Sequence, residues 1–369
     1  MTVTSTAVPG EDLQETIVST AATDGVEGIC VLAPPDDALL TPTFESTLRT
    51  LSVPVFGGIF PKIIHGGTAT DSSALVVGLS VEPVVTTVKG LSEPETPFHE
   101  ALDPTHPAEG YRTGFVFVDA HSDCVEQFIQ SIFRTYSVEL NVIGGGAGTL
   151  DEGSHPCLFT NDGIIGDAAV LAAVPCPTAI GVSHGYTEIA GPFRVTAADG
   201  ATVHSLDGRP AFELYREVID AHAGRTVDRE NFFEVANSYP FGVTRMDAEQ
   251  LVRDPFAVDD TGSISCFGTI PDGEFVTVLT GDADSLVEAA RSAYEYATAG
   301  SVVADLLLFF DCTSRALYLE SAFDRELSAV SDHELPVFGA LTIGEIANDG
   351  AGHLDYYNKT AVVGAIEDV

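Results

Sequence analysis

Three segments of this chain carry nearly the same phrase: VPVFGGIFPKI at 53–63, ELNVIGGGAGTL at 139–150 and ELPVFGALTIGEI at 334–346. Each sets glycine at the end of a run of β-formers, and each stands in a similar frame. Upstream lie GICVLAPPDD (28–37), GFVFVDAHSD (114–123) and DLLLFFDCTS (305–314), short apolar runs ending in small or acidic residues. Downstream lie SALVVGLS (73–80), GDAAVLAAV (166–174) and KTAVVGAI (359–366). Buried strands feeding βα loops have this character. The interval between the first and second run holds one helix; in the middle segment Val125, Phe128, Ile129, Ile132 and Phe133 recur at helical spacing behind Ser122 and Asp123, the expected N-caps. The expectation is an α/β fold of two halves, with mixed β-sheets flanked by helices and a repeated strand-helix-strand-strand unit. Its glycines (Gly57, Gly58, Gly144 to Gly146, Gly339) are expected just past the strand ends, where a backbone without Cβ turns sharply or approaches a ligand.

Between the second and third units the pattern breaks. Two turn signals, AADGA and SLDGRP, are flanked by strand-formers, and a helix enters at Pro210. After them, ISCFGTI and EFVTVLTG read as a hairpin joined at Pro271, Asp272 and Gly273, followed by a helix capped by Asp282 or Asp284. These breaks divide the chain into a flexible N-terminus (1–19), a first α/β half (20–190), a connecting segment (191–231) and a second half (232–366) with its own core. The prolines at 94, 97, 104 and 107 make 93–110 a loop or flap.

Charge narrows the function classes. Sixteen Lys and Arg against 55 Asp and Glu leave a net charge of −39, so nucleic acid and anionic membranes are excluded as partners on electrostatic grounds. Acidic residues spread over the whole length resemble the surfaces of salt-loving archaeal proteins, where salt screens self-repulsion. The six cysteines show no CxxC spacing and sit in apolar runs, as buried reduced thiols do. Without a basic n-region, an apolar h-region or a membrane-length apolar run, the expected location is the cytoplasm.

The richest polar grouping is in the third unit. Arg315 follows one buried strand and Glu345 follows the glycine-bearing one; a guanidinium matches a carboxylate and a carboxylate an ammonium, so the two can hold a zwitterion, or simply pair with each other. Cys312, Thr313, Ser314, Asn358 and Thr360 add thiol, hydroxyl and amide groups, with Arg194, Arg253 and Gly339 as secondary candidates. His65, His155 and His353 lie one to a loop without a second ligand at i+2 or i+4, which does not make a metal site. Cys312 is the one candidate nucleophile for acyl or thiol chemistry, but no motif sets a base beside it and no GxSxG, HExxH or Walker signature occurs. No catalysis is expected.

The passage GVSHGYTEIAGPFRVTAADGATVHSLDGRPAFELY resembles the join between the two halves of FIST-domain proteins. YPFGVTRM, the stretch from LVRDPF to VTVLTGD, and FFDCTSRALYLE with PVFGALTIGEIA and YYNKTAVVGAI resemble the family's C-terminal half, and the likeness extends over about 20–366. It implies an intracellular sensory module for small ligands such as amino acids, acting through a kinase or cyclase; with no such segment here, the output partner is expected to be a separate protein, for example a histidine kinase. Some members are associated with haem and nitric oxide sensing, for which His184 or His204 would be the axial ligand.

Overall fold

The computed structural model describes residues 4–102, 110–151, 155–224, 226–244, 250–331, 333–348 and 352–367. It is a mixed α/β fold of three six-stranded sheets and one seven-stranded sheet. Each six-stranded sheet has the same centre. A parallel pair (Gly28–Ala33 with Val55–Ile59, Thr113–Asp119 with Asn141–Ala147, Leu306–Cys312 with Val337–Thr342) is flanked by an antiparallel strand on the first member's other side (Ser73–Leu79, Ala168–Val174, Ala361–Ile366).

The glycines lie inside the second strand of each pair, not past its end. Gly57 faces Val31, Gly144 faces Val116 and Gly339 faces Phe309 in register. A Cβ on these glycines would stand 1.8, 2.0 and 1.7 Å from the carbonyl oxygens of Val31, Val116 and Phe309. That close approach of neighbouring backbones is the physical reason for glycine there.

Each of these sheets is completed by a segment from elsewhere in the chain. Lys62–His65, just after the first pair, joins the third sheet beside Val337–Thr342. The hairpin Leu158–Thr160 with Gly163–Ile165, after the second pair, joins the first sheet beside Val55–Ile59. Glu345–Asn348, after the third pair, joins the second sheet beside Asn141–Ala147. One apolar core accordingly runs through both halves and takes in Phe56, Phe117, Phe310 and Phe338. The second half shares this core and also supplies most of another, in which Leu286, Phe309, Leu327 and Val363 are joined by Ile64 and Tyr186 of the first half. Two further clusters fill the space between the outer faces and the helices: Ala283–Thr298 and Phe323–Ser331 on the third sheet, Val125–Tyr136 on the second.

The seven-stranded sheet closes on itself. Thr187–Asp199, Phe275–Thr280, Phe241–Val243, Leu251–Val258, Ile264–Phe267 and Thr202–Leu206 pair in that order, and the last pairs back with the first. Closure leaves no open edge among the six. Residues 191–206, expected within a connector, are therefore barrel wall, and Ile264–Phe267 and Phe275–Thr280 are separated in the sheet instead of forming a hairpin. The helix Ala211–Ala223 packs here through Tyr215, whose ring lies 5.2 Å from that of Phe241 and whose hydroxyl donates to the Tyr239 carbonyl at 2.7 Å.

Local signals fared unevenly. Asp282 caps its helix by accepting from the Ser285 N–H at 2.8 Å, as expected. The helix Val125–Tyr136 is present, but its N-cap is Cys124 without a side-chain bond, because the Ser122 hydroxyl turns to Asp167 instead. The N-terminal segment expected to be flexible is ordered from Thr4 on: Thr4–Pro9 is the edge strand of the first sheet and Leu13 and Ile17 are buried on the helix that follows. In the proline-rich segment Phe98 packs edge-on against Phe128, while 103–109 lie outside the described residues.

Candidate functional site

The polar residues of the third unit meet, but under the surface. Arg315 is fully buried and all five of its N–H groups are engaged. Nε and Nη2 donate to Glu326, Nη1 to the carbonyls of His184 (2.6 Å) and Lys359 (3.1 Å), and Nη2 also to that of Leu286 (2.9 Å). Asp311 stands 3.2 Å from Nε. A guanidinium has five donors, so none remains for a guest. This corrects the zwitterion clamp: Arg315 neither faces a ligand nor pairs with Glu345, but knits two neighbouring helices, a strand and two turns together.

Glu345 is equally sealed. Its Oε1 accepts from the Thr342 hydroxyl at 2.8 Å and its Oε2 from the Thr360 N–H at 3.3 Å, with the Cys312 thiol alongside. Burial pushes its carboxyl up to about 8, only partly opposed by those hydrogen bonds. Burial and the neighbouring Glu345 carboxylate push the Cys312 thiol up to about 12. A thiol so far from ionising is the opposite of an activated nucleophile. Thr313 donates to the Thr342 carbonyl (2.9 Å), Thr360 to that of Asn358 (2.7 Å), and the buried Asn358 Oδ1 has no hydrogen-bond partner among the described residues.

Lys359, one of the chain's few lysines, was not among the expected site residues, yet it is fully buried, 3.1 Å from Asp254 Oδ2 and bonded to Asn237. Around it and Arg315 lie four buried acids: Asp254, Asp311, Glu326 and Glu345. Burial raises the carboxyl of each, with the Arg315 guanidinium opposing it at Glu326 and Asp311 and the Lys359 ammonium at Asp254. Two cations cannot balance four buried carboxylates, so the cluster retains protons at neutral pH. It is a polar keystone.

The secondary candidates separate. Arg194 is exposed, and its backbone N–H donates to Asp207. Gly339 presses on Phe309 and borders an apolar cavity. His184 is buried, with Nδ1 accepting from the Tyr186 N–H at 2.9 Å; burial, then Arg315, lowers its pKa to about 4. The His204 Nδ1 lies 3.0 Å from the Ser263 hydroxyl. A porphyrin needs an apolar slot of several hundred Å³, and none of the three cavities described has either histidine in its wall.

Arg253 is the candidate that reaches a cavity. That cavity holds about 120 Å³ and is walled by Glu126, Gln130, Arg253, Thr269, Glu274 and Tyr356 among others. Arg253 donates from Nε to the Thr269 carbonyl (3.1 Å), from Nη1 to those of Val252 (3.1 Å) and Tyr356 (3.0 Å), and from Nη2 to Glu126 Oε1 (2.8 Å). Four of its five donors are thereby assigned. Glu126 also accepts from the Thr269 N–H at 3.1 and 3.2 Å. Gly268, at φ +84°, lets the turn pass, since a Cβ there would meet the Arg253 Nε at 2.7 Å. Glu126 comes from the second sheet's helix, Arg253 and Thr269 from the barrel and its adjoining turn, and Tyr356 from the hairpin lent by the third unit. Their separation in sequence hid the partnership; Arg253 drew notice only as a rare cation in an acidic chain.

Sequence models of the FIST N domain match residues 29–209, and those of the FIST C domain residues 211–348. The chain belongs to the FIST family. The boundary between the two matches falls within the closed barrel, whose strands Thr187–Asp199 and Thr202–Leu206 come from the FIST N part and the other four from the FIST C part. Among curated proteins, an uncharacterized protein of Mycobacterium tuberculosis, present in two strains, is 27% identical over 225 residues, 57% of either chain. An uncharacterized protein of Methanocaldococcus jannaschii is 29% identical over 119 residues, 31% of this chain and 22% of that one. The matched region is thus little more than half the length of the first relative. FIST is a sensory rather than an enzyme family, associated with signal transduction. Among the described residues no helix is long and apolar enough to cross a membrane.

Proposed function

We propose that this FIST protein is a cytoplasmic sensor of a small metabolite carrying an ammonium group, an amino acid or short amine, bound in the Arg253 cavity. The observation that carries the reading is the wall itself: the carboxylates Glu126, Glu274 and Asp355 gather around a single guanidinium. An excess of negative charge at a partly enclosed site favours a cation, and the fifth Arg253 N–H suits a carboxylate on the same molecule. A volume of about 120 Å³ corresponds to roughly four waters and hence to a ligand of about four to seven heavy atoms. A guest here would touch the second sheet's helix, the barrel and the third unit's hairpin at once, which is how occupancy becomes a change of shape or rigidity that a separate signalling protein, such as a histidine kinase, can read.

Thermal-shift screening against small amino acids and amines tests this, because a ligand that binds only the folded state raises the unfolding temperature. At 100 times Kd the stabilisation is about 2.7 kcal/mol. The shift should shrink in Glu274→Gln and Glu126→Gln; a hit whose shift is undiminished in both binds elsewhere.

A further inference from the structure

A second cavity lies where the three six-stranded sheets meet, and its chemistry is the reverse of the first. Its wall takes Cys30 and Leu32 from the first sheet, Phe115 and Phe117 from the second, and Leu308 and Phe310 from the third. These six hold matching places: they bracket Val31, Val116 and Phe309, the residues that face Gly57, Gly144 and Gly339. One layer, Leu32, Phe117 and Phe310, is close-packed, with the Phe117 ring 5.8 Å from Phe310, 6.3 Å from Phe56 and 5.3 Å from Phe60. In the other layer Cys30 stands where the other two sheets set Phe115 and Leu308. All three keep a trace of exposure, 8, 5 and 7%, against 0 to 3% in the close-packed layer. The space left is about 30 Å³ and its wall presents only apolar atoms.

Water entering such a space would find none of the two to four hydrogen-bond partners it requires, so an apolar void of this kind stays dry and accepts apolar guests instead. Aromatic and aliphatic walls on several sides give a small polarisable guest dispersion contacts that the empty void forgoes. We propose that this junction is a binding site for an apolar molecule of one or two heavy atoms, the size class of a diatomic gas. It is independent of the Arg253 cavity, which lies outside this core and is polar, and neither site's failure bears on the other. A guest would bear on strands of all three sheets at once.

Xenon is the probe. Crystals of the full chain pressurised with xenon should show a peak in contact with Cys30, Phe115 and Leu308. In solution, ¹²⁹Xe chemical shifts should report saturable binding to the folded protein. Cys30→Leu fills the void with little added bulk beyond it and should abolish both signals; Leu308→Phe fills it from the opposite wall, should one variant fail to fold. Dissolved oxygen, being paramagnetic, should broaden the methyl resonances of Leu32, Val77 and Leu308 in the wild type and not in the filled variant. Absence of xenon at this junction in folded wild-type protein overturns the proposal, as does xenon that keeps its place in a folded Cys30→Leu or Leu308→Phe protein.

Discussion

Replacing Glu345 by Gln should change how stability depends on pH far more than it changes stability at any one pH. The carboxyl is fully buried and its pKa is raised from an ordinary 4.5 to about 8. An acid raised on folding holds its proton more tightly in the native state. Its favourable contribution is complete below pH 4.5 and is lost as pH climbs toward 8. The slope is about 1.4 kcal/mol per pH unit, which over the interval amounts to about 5 kcal/mol. Glutamine never ionises and removes that slope. It also brings a fixed local penalty, because its amide nitrogen cannot accept the Thr360 N–H that Glu345 Oε2 receives at 3.3 Å; a lost hydrogen bond of this kind costs about 1 kcal/mol.

Glu345→Gln should therefore match wild type to within about 0.5 kcal/mol near pH 5, where the two curves cross, and be more stable by about 3 kcal/mol at pH 7.5. Urea unfolding of both proteins at half-unit steps from pH 5 to 8, at one salt concentration, reads the difference directly. The exposed carboxylates titrate alike in both and cancel. Asp311 lies in the field of Glu345, so part of the slope can pass to it, but the crossing of the two curves remains. A wild-type to variant difference that stays constant across this range would falsify the protonated state of Glu345 and with it the charge balance drawn for the cluster.

Two further substitutions test the frame. Gly339→Ala drives a Cβ to 1.7 Å from the Phe309 carbonyl oxygen, which only separation of the parallel strands relieves; the expected outcome is loss of soluble folded protein, and a variant with near-wild-type melting temperature would contradict the close approach. Arg315→Met strands Glu326 and Asp311 and leaves the carbonyls of His184, Leu286 and Lys359 without their donor. A cost of about 3–5 kcal/mol is expected, measured by urea unfolding, with much of it recovered in Arg315→Met/Glu326→Leu. If the double variant is no better than the single, the ion pair is not the source of the loss.

Local order was written along the chain. Apolar runs around Gly57, Gly144 and Gly339 placed the parallel pairs, helical spacing placed Val125–Tyr136, and Asp282 marked a helix start, because strands, helices and caps depend on neighbours a few residues away. The family was legible for the same reason, in contiguous passages such as GVSHGYTEIAGPFRVTAADG. Which strand borders which was not. Lys62–His65 lies beside Val337–Thr342 and Glu345–Asn348 beside Asn141–Ala147, pairings across hundreds of residues that depend on backbone groups common to every residue type. The site suffered from the same gap. Arg315 and Glu345 looked like a pair because both follow strands of one unit, but tertiary packing gave Arg315 to Glu326 and sealed Glu345 with Thr342 and Thr360. Arg253 found Glu126, 127 positions away, only when the helix of one unit met the barrel. A sequence records which side chains can carry charge; whether that charge meets solvent, a counterion or a cavity is set by the long-range contacts that bury it.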